Sequence, residues 1–352
     1  MNISRQFDYK RVGLAAIALL AVVGSVFAGS AVAGAKQSSD TRISGAGSSF
    51  VFPLVSQWIP AVGPALGINL AYSSVGSGAG IAQVTARTVD FGASDAPLTT
   101  DQFTACKGCV QIPWALGGTA ILINVHGLNK QLHLTGKVIA DIYLGKITSW
   151  NDPAIKALNP GVSLPGTKIT PVYRSDNSGT TYNFTDYLTT ISGDWRSKVG
   201  RGVNANWPAG VGGKGSSGVS GVVRSTDGAI GYADIAYALA NHIQIAAVKN
   251  AAGKYTTPGI KQIAAAASTI KSVPGNGELH IVNPSARNPV AYPISTFTYV
   301  ILPSKTDKAA ELRKLVFWAL TKGQGYGTKL LFVPIPKVVL AASEKTLKQI
   351  ST

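Results

Sequence analysis

From residue 41 onward, short runs of apolar residues alternate with segments whose apolar residues recur at helical spacing. The short runs predict β-strands and the periodic segments predict helices. Strands that alternate with helices are typical of α/β proteins, in which helices cover a largely parallel sheet. The predicted strands are 68–72, 89–92, 120–125, 169–173, 230–232 and 298–302, and the predicted helices are 52–62, 80–86, 138–144, 181–190 and 309–320.

The most regular of these patterns is the helix predicted over 309–320. Its apolar residues lie three and four apart, which indicates one face packed on a core. Thr306 or Asp307 precedes it as the expected N-cap, and Gly323 follows as the expected terminator.

A Gly-rich segment covers 201–221 and includes the sequence GGKGSSG at 212–218. It lacks the Gly-Lys-Ser/Thr order of a P-loop, and no apolar strand immediately precedes it. We therefore predict a surface loop here.

The composition is that of a chain that folds around a large core. Only 14% of the 352 residues are charged, compared with about 25% in ordinary soluble proteins, and 45% are hydrophobic. This length generally exceeds one hydrophobic core, which favours two lobes or one large α/β domain. Extensive disorder and a small disulfide-stapled scaffold are both excluded.

The net charge of +16 raises nucleic acid, anionic membranes and acidic ligands as partners. After residue 40 the Lys and Arg residues are mostly isolated, with no basic block and no interleaved aromatic residues. We therefore expect no nucleic-acid partner and interpret the charge as a basic solvated surface.

The N-terminus has the pattern of a secretory signal peptide. Basic residues precede an uncharged apolar run over 12–28, and small residues follow, including Ala-Val-Ala at 31–33. An uncleaved membrane anchor is the alternative. Cleavage is favoured because the second half of the segment is rich in Gly, Ala and Ser. We predict a signal peptide over 1–33, with no cysteine at its end to accept a lipid.

Cys106 and Cys109 are the two cysteines of the chain. Two cysteines do not complete a four-ligand zinc site. In an oxidising compartment a short-loop disulfide is the default, while a reduced pair and a redox-active pair remain alternatives.

Three short turns rich in Gly, Ser and Thr each precede a predicted helix. They are GAGSSF at 45–50, VGSGAG at 75–80 and RSDNSGT at 174–180. A helix N-terminus presents free N–H groups and a partial positive charge, and glycine lets a ligand approach the backbone. One such turn is ordinary helix capping. Three of them, together with the guanidinium of Arg174, favour an anion-binding site.

A fourth turn, DFGASDAP at 90–97, places Asp95 after a short strand. On its own this aspartate is an ordinary turn or cap residue. Beside an anion, its carboxylate repels the ligand unless the ligand carries a proton that the carboxylate can accept. Asp95 is therefore a candidate filter for a protonated anion.

Five segments together resemble the periplasmic phosphate-binding proteins of ABC-type phosphate-specific transporters. They are GAGSSF, VGSGAG, VDFGASDAPL, DIYLGKITSWND and RSDNSGTTYNF, and the likeness extends from about residue 43 to residue 352. The resemblance implies a two-lobed α/β periplasmic binding protein type II fold, with mixed sheets flanked by helices and a hinge beside a central cleft. It implies no cofactor and no covalent chemistry.

On this resemblance we expect lobe 1 to comprise 41–123 plus 291–352 and lobe 2 to comprise 124–290, with crossings near 120–125 and 292–302. The family's phosphate ligands fall on Ser49, Phe50, Ser77, Asp95, Arg174, Ser178, Gly179 and Thr180, with Asp176 holding Arg174.

The implied function is capture of inorganic phosphate in the periplasm by a monomer, which delivers it to the permease subunits and cytoplasmic ATPase of an ABC importer. A secreted phosphatase-like hydrolase is an alternative, although Ser49, Ser77 and Ser178 have no His or Lys nearby in the sequence to activate a nucleophile. A binding protein for sulfate or molybdate is a further alternative. Such a protein has little reason to place a carboxylate beside its anion.

Overall fold

A computed structural model of the protein describes residues 41–352. The signal peptide predicted over 1–33 lies outside the described residues. Within 41–352, no helix has both the length and the apolar composition needed to cross a membrane.

Strands and helices alternate along most of the described chain. The strands are Thr41–Gly47 (β1), Ile68–Ser74 (β2), Phe91–Ser94 (β3), Cys109–Asn124 (β4), His133–Leu134 (β5), Thr170–Arg174 (β6), Val211–Gly213 (β7), Ala229–Asp234 (β8), Gln244–Lys249 (β9), Tyr255–Thr256 (β10) and Ser295–Pro303 (β11). The helices are Phe52–Leu66 (α1), Ser77–Thr85 (α2), Thr100–Cys106 (α3), Gly136–Tyr143 (α4), Pro153–Lys156 (α5), Gly179–Ile191 (α6), Gly193–Lys198 (α7), Gly215–Ser225 (α8), Ile235–Asn241 (α9), Ile260–Ala267 (α10), Ala309–Leu320 (α11) and Lys337–Leu347 (α12), with a 3₁₀-helix at Lys322–Leu330.

The strands form a mixed sheet in the order β2-β1-β3-β11-β4-β8-β6-β7. The pairs at the two ends, β1 with β2 and β3, and β6 with β7 and β8, are parallel. In the middle, β11 is antiparallel to both β3 and β4, and β4 is antiparallel to β8. A further parallel pair, β5 with β9, branches from β4. The predicted α/β class with a mixed sheet is therefore confirmed.

The long strand β4 connects the two halves of this sheet. Residues 109–118 pair with β11, and residues 119–124 pair with β8. The strand predicted at 120–125 is the second part of this longer element.

Helices cover both faces of each half of the sheet. In the first half, α1, α10, α11 and α12 enclose a large apolar cluster, the first core, and α2 and α3 cover the opposite face. In the second half, α4, α6 and α7 enclose the second core, and α8 and α9 cover the opposite face. The junctions between strands and helices therefore come together where the two halves meet.

All six predicted strands and five predicted helices correspond to elements of the structure, and α11 has the predicted bounds. The other boundaries are shifted by a few residues, except that the strand predicted at 120–125 begins at Cys109. The predicted caps of α11 are wrong. Lys308 occupies the N-cap position, and its ammonium group has no acceptor with which to cap the helix. The Thr306 hydroxyl accepts from the Lys308 N–H at 3.3 Å and not from an N–H within α11. Gly323 lies inside the 3₁₀-helix that follows Thr321, so it does not terminate α11.

The loop predicted at 212–218 is also wrong. Its first residues complete β7, which pairs with β6, and its last residues begin α8. Glycine has a low intrinsic preference for strands, and here the pairing with β6 overrides it. A Cβ on Gly213 would lie 2.7 Å from the backbone nitrogen of Val219, so the absence of a side chain lets α8 pack directly on β7.

The structure joins Cys106, at the end of α3, to Cys109, at the start of β4, by a disulfide. Both cysteines pack with Ile81 and Ile301 on the outer face of the first half of the sheet. The bond therefore lies on the face opposite the first core.

Candidate functional site

Five junctions between strands and helices or turns meet between the two halves of the sheet. They are the start of α1, the start of α2, the turn after β3, the segment from β6 to α6 and the segment from β7 to α8. The predicted residues at these junctions are buried: Ser49, Phe50, Ser77, Asp95, Arg174, Ser178, Gly179 and Thr180, with Asp176 partly buried. Residues up to 167 positions apart in the chain are thereby brought together.

The Asp95 carboxylate is surrounded by neutral donors. The Ser48 hydroxyl donates to Oδ1, and the Thr180 hydroxyl, from α6, donates to Oδ2 at 3.3 Å. The Asp95 N–H donates to the Ser77 hydroxyl at 3.3 Å. Burial raises the pKa of the Asp95 carboxyl to about 6, against the lowering effects of the Ser48 hydrogen bond and the Arg174 charge. Near neutral pH this group can therefore gain or lose a proton.

Arg174 and Asp176 form a two-pronged ion pair. Arg174 Nε donates to Asp176 Oδ1 at 2.8 Å, and Nη2 donates to Oδ2 at 2.5 Å. The Gly215 N–H donates to the same Oδ1 at 2.9 Å. Burial raises the pKa of the Asp176 carboxyl, but the Arg174 hydrogen bonds and charge outweigh it, so the net pKa lies below its ordinary value. Asp176 therefore stays ionised and fixes the guanidinium.

The other edge of the Arg174 guanidinium has only weak partners. Nη1 donates to the Thr180 hydroxyl at 3.3 Å and to the Ser216 hydroxyl at 3.4 Å, and both distances are long for hydrogen bonds. The Arg174 side chain is 1% exposed, so water supplies little compensation. A buried cationic donor with long neutral contacts has the capacity to bind an anion.

Ser49 lies opposite this edge and contacts α8. Its hydroxyl is 2.9 Å from the Ser216 hydroxyl and accepts from the Ser216 N–H at 3.0 Å. Sequence reasoning missed Ser216 because its segment was interpreted as a loop. The signal was present, since GGKGSSG repeats the Gly-then-Ser-Ser arrangement of GAGSSF before a helix.

Ser48 is a second residue that the sequence prediction omitted. Besides its bond to Asp95, its hydroxyl accepts from the N–H groups of Phe50 and Val51 at 3.0 and 3.2 Å. The predicted Phe50 N–H is therefore engaged by Ser48 in this structure. Ser48 connects the start of α1 to the carboxylate.

Ser178 serves α6 as its N-cap. Its hydroxyl accepts from the Thr181 N–H at 3.1 Å, and its own N–H donates to the Val203 carbonyl at 2.8 Å. Because the Ser178 N–H is already used, Ser178 can donate to a ligand through its hydroxyl proton.

Gly179 allows α6 to approach the first half of the sheet. A Cβ at this position would lie 2.6 Å from both the Asp95 backbone nitrogen and the Ser77 hydroxyl. Nearby, the Gly78 N–H donates to the Asn177 carbonyl at 3.0 Å. The two halves are thus in direct contact through glycine.

The described residues contain no cluster of three or more His, Cys, Asp and Glu side chains that could hold a metal ion. The converging groups are hydroxyls, N–H donors, one guanidinium and two carboxylates. This set is suited to a small oxyanion that carries a proton.

A family model described as a PBP superfamily domain matches residues 34–322. The phosphate-binding protein PstS of Xylella fastidiosa (strain Temecula1) is 43% identical over 306 residues, which cover 86% of this chain and 84% of that protein. The phosphate-binding protein PstS of Pasteurella multocida is 37% identical over 329 residues, which cover 92% of each protein.

Among solved structures, that of PfluDING, a high-affinity periplasmic phosphate-binding protein bound with phosphate, has a TM-score of 0.69 at 21% identity. The match covers 87% of this chain and 93% of the solved one. The expected type II periplasmic binding protein fold is confirmed. The chain belongs to the PstS family of phosphate-binding proteins, within the PBP superfamily.

Proposed function

We propose that this protein captures inorganic phosphate in the periplasm and delivers it to the permease subunits of an ABC importer. The observation that carries the proposal is the weakly bonded edge of the buried Arg174 guanidinium. Its Nη1 has two hydroxyl groups as acceptors, those of Thr180 at 3.3 Å and Ser216 at 3.4 Å. A phosphate oxygen offers this guanidinium a charged acceptor in addition to the weak neutral ones.

The proposed ligand set joins both halves of the sheet. Ser49, Phe50, Ser77 and Asp95 come from the first half, whereas Arg174, Ser178, Gly179 and Thr180 come from the second. Each charge-assisted hydrogen bond contributes roughly 1.5–3 kcal/mol, and bonds from both halves form only when the cleft is closed. Phosphate therefore favours the closed state.

The two cores correspond to the two proposed lobes. We place the first core in lobe 1 and the second core in lobe 2, with β4 as one crossing. Because α10 and Ile281 pack in the first core, we assign 260–281 to lobe 1 and not to lobe 2 as the sequence suggested.

Asp95 supplies the proposed selectivity. A phosphate that carries a proton can donate it to this carboxylate, whereas fully ionised sulfate leaves two anions facing each other in a buried site. The same repulsion disfavours sulfate and molybdate as the natural ligand.

A hydrolase activity has less support. The hydrogen-bond partners of Ser49, Ser77 and Ser178 are hydroxyl and backbone groups, with no His or Lys among them. The curated relatives are named as binding proteins. Turnover of a chromogenic phosphate ester by the purified protein would favour the hydrolase.

Isothermal titration calorimetry of the secreted protein with phosphate and with sulfate tests the proposal. We expect one phosphate to bind each chain and sulfate to bind about 10⁴-fold more weakly, as a site that depends on a ligand hydrogen bond can achieve. Equal binding of the two anions, or no binding of phosphate, would overturn it.

A further inference from the structure

We propose that Ser216 is a positioning residue of the anion site, which orients the Ser49 hydroxyl so that its proton points at the ligand. This inference rests on the proposed function. It assigns a role to the GGKGSSG segment, which the predicted ligand set does not include.

Ser216 lies between the cation and the opposite side of the site. Its side chain is completely buried. Its hydroxyl accepts from Arg174 Nη1 at 3.4 Å and lies 2.9 Å from the Ser49 hydroxyl, while its N–H donates to Ser49 at 3.0 Å. Ser216 is thus hydrogen-bonded to both Arg174 and Ser49.

The start of α8 holds Ser216 in this place. The Gly215 N–H donates to Asp176 at 2.9 Å, and Asp176 also binds Arg174 through both oxygens. One carboxylate therefore fixes the guanidinium and the first turn of α8 relative to each other. Farther along α8, Val219 is buried in the apolar cluster between this helix and the sheet.

Ser49 needs an external restraint to act as a donor. Serine has no branch at Cβ, so packing restricts its χ1 angle less than that of threonine or valine. Its oxygen accepts one hydrogen bond from the Ser216 N–H. If its oxygen also accepts from the Ser216 hydroxyl, the proton of Ser49 is left over for the anion.

Arg174 determines which of the two hydroxyls donates to the other. Because its Nη1 donates to the Ser216 oxygen, it polarises the Ser216 hydroxyl and makes that proton the better donor. The hydrogen bonds then run from Arg174 to Ser216, from Ser216 to Ser49 and from Ser49 to the phosphate. Ser216 acts through Ser49 and is not itself required to contact the ligand.

The test is a double-mutant cycle in which phosphate binding is measured by calorimetry on S49A, S216A and the double variant. S216A should weaken binding about tenfold, in proportion to one lost hydrogen bond to a charged ligand. Since both serines contribute through one chain of bonds, S216A should have almost no further effect when Ser49 is already alanine.

Ser217 provides the matched control. It lies in the same turn of α8 but is exposed, so S217A should bind phosphate like the wild type. Alanine has a high helix propensity, so α8 should persist in both variants, and their thermal unfolding without ligand checks this.

Two results would overturn the inference: S216A binding phosphate as tightly as S217A, or additive losses from S49A and S216A. Failure of the proposed function is a different result, namely that the wild-type protein does not bind phosphate.

Discussion

The two carboxylates of the site, Asp95 and Asp176, belong to different halves of the sheet and respond oppositely to their surroundings. Asp95 receives hydrogen bonds from neutral hydroxyls, and burial raises its pKa to about 6. Asp176 is also partly buried, but Arg174 contacts both of its oxygens and its pKa is lowered. The same chemical group thus becomes a proton acceptor in one half and a permanent anion in the other.

Because Asp176 stays ionised beside Arg174, the ion pair limits how strongly the site attracts an anion. Arg174 and Asp176 cancel each other's formal charge, so their pair contributes little net attraction. Affinity must then come from the direction of the donors, above all from Arg174 Nη1 and the surrounding hydroxyls. The net charge of +16 is a property of the whole chain and has no counterpart in the site.

The largest effect should follow from removing the charge of Asp95. In D95N the neutral amide no longer repels sulfate, and its NH2 group can donate to either anion, so the preference for phosphate over sulfate should fall by up to about 10⁴-fold. Calorimetry with both anions measures the ratio. D176N is the control for the comparison: it should weaken binding of both anions and leave their ratio nearly unchanged. An unchanged ratio in D95N would remove Asp95 from the proposed role.

The next largest effect should follow from R174A. Loss of a buried charged donor should cost about 2–5 kcal/mol of phosphate binding, or at least about thirtyfold in affinity. R201A is the matched control, because Arg201 also pairs with a buried aspartate, Asp186, but is half exposed and has no hydrogen bond to a proposed phosphate ligand within residues 41–352. Titration of phosphate into both variants makes the comparison, and equal affinities would contradict the assignment of Arg174.

Stability should depend on pH in opposite ways through the two carboxylates. The folded pKa of Asp95 is raised, so its contribution to stability is present below the unfolded pKa and is lost as pH rises through about 6. At neutral pH this loss amounts to about 3 kcal/mol without ligand. Asp176 has a lowered pKa, so its contribution is present at neutral pH and is lost as pH falls.

Urea unfolding of ligand-free wild type, D95N and D176N at about pH 3, which lies below the ordinary pKa of an aspartate, and at about pH 8 checks these signs. The stability of D95N relative to the wild type should increase between the lower and the higher pH, and that of D176N should decrease. The same sign for both variants would show that the two environments do not differ as described.

The smallest effect should come from separating the two halves slightly with G179A. The new methyl group would meet the Asp95 nitrogen and the Ser77 hydroxyl at 2.6 Å, so it should destabilise the closed arrangement by about 1–3 kcal/mol. G193A is the matched control, since Gly193 also begins a helix and a Cβ there meets no atom within 4 Å. Thermal unfolding and phosphate titration of both variants measure the difference, and equal behaviour would show that α6 has room to move.

Much of the architecture followed from the sequence because it depends on local patterns. Apolar periodicity placed all six predicted strands and five predicted helices, and Gly, Ser and Thr turns marked the starts of α1, α2 and α6. Arg174 and Asp176 are two positions apart, so their pairing is also a local property. The resemblance to a family added the roles of the remaining ligands.

Other features depended on contacts that no local pattern contains. The Gly-rich segment became β7 and α8 only because β6 offered it a parallel neighbour. In the same way, α10 follows the second-half strands in the chain yet packs in the first core.

The sequence by itself determined the α/β pattern, the turns and the donors that could bind an anion. Only the tertiary structure decided that Ser49 meets Ser216 across 167 positions and that Asp95 meets Thr180 across 85. It also decided the protonation of the two aspartates, because burial and the nearest charge, which set a pKa, exist only after the chain has brought distant segments together.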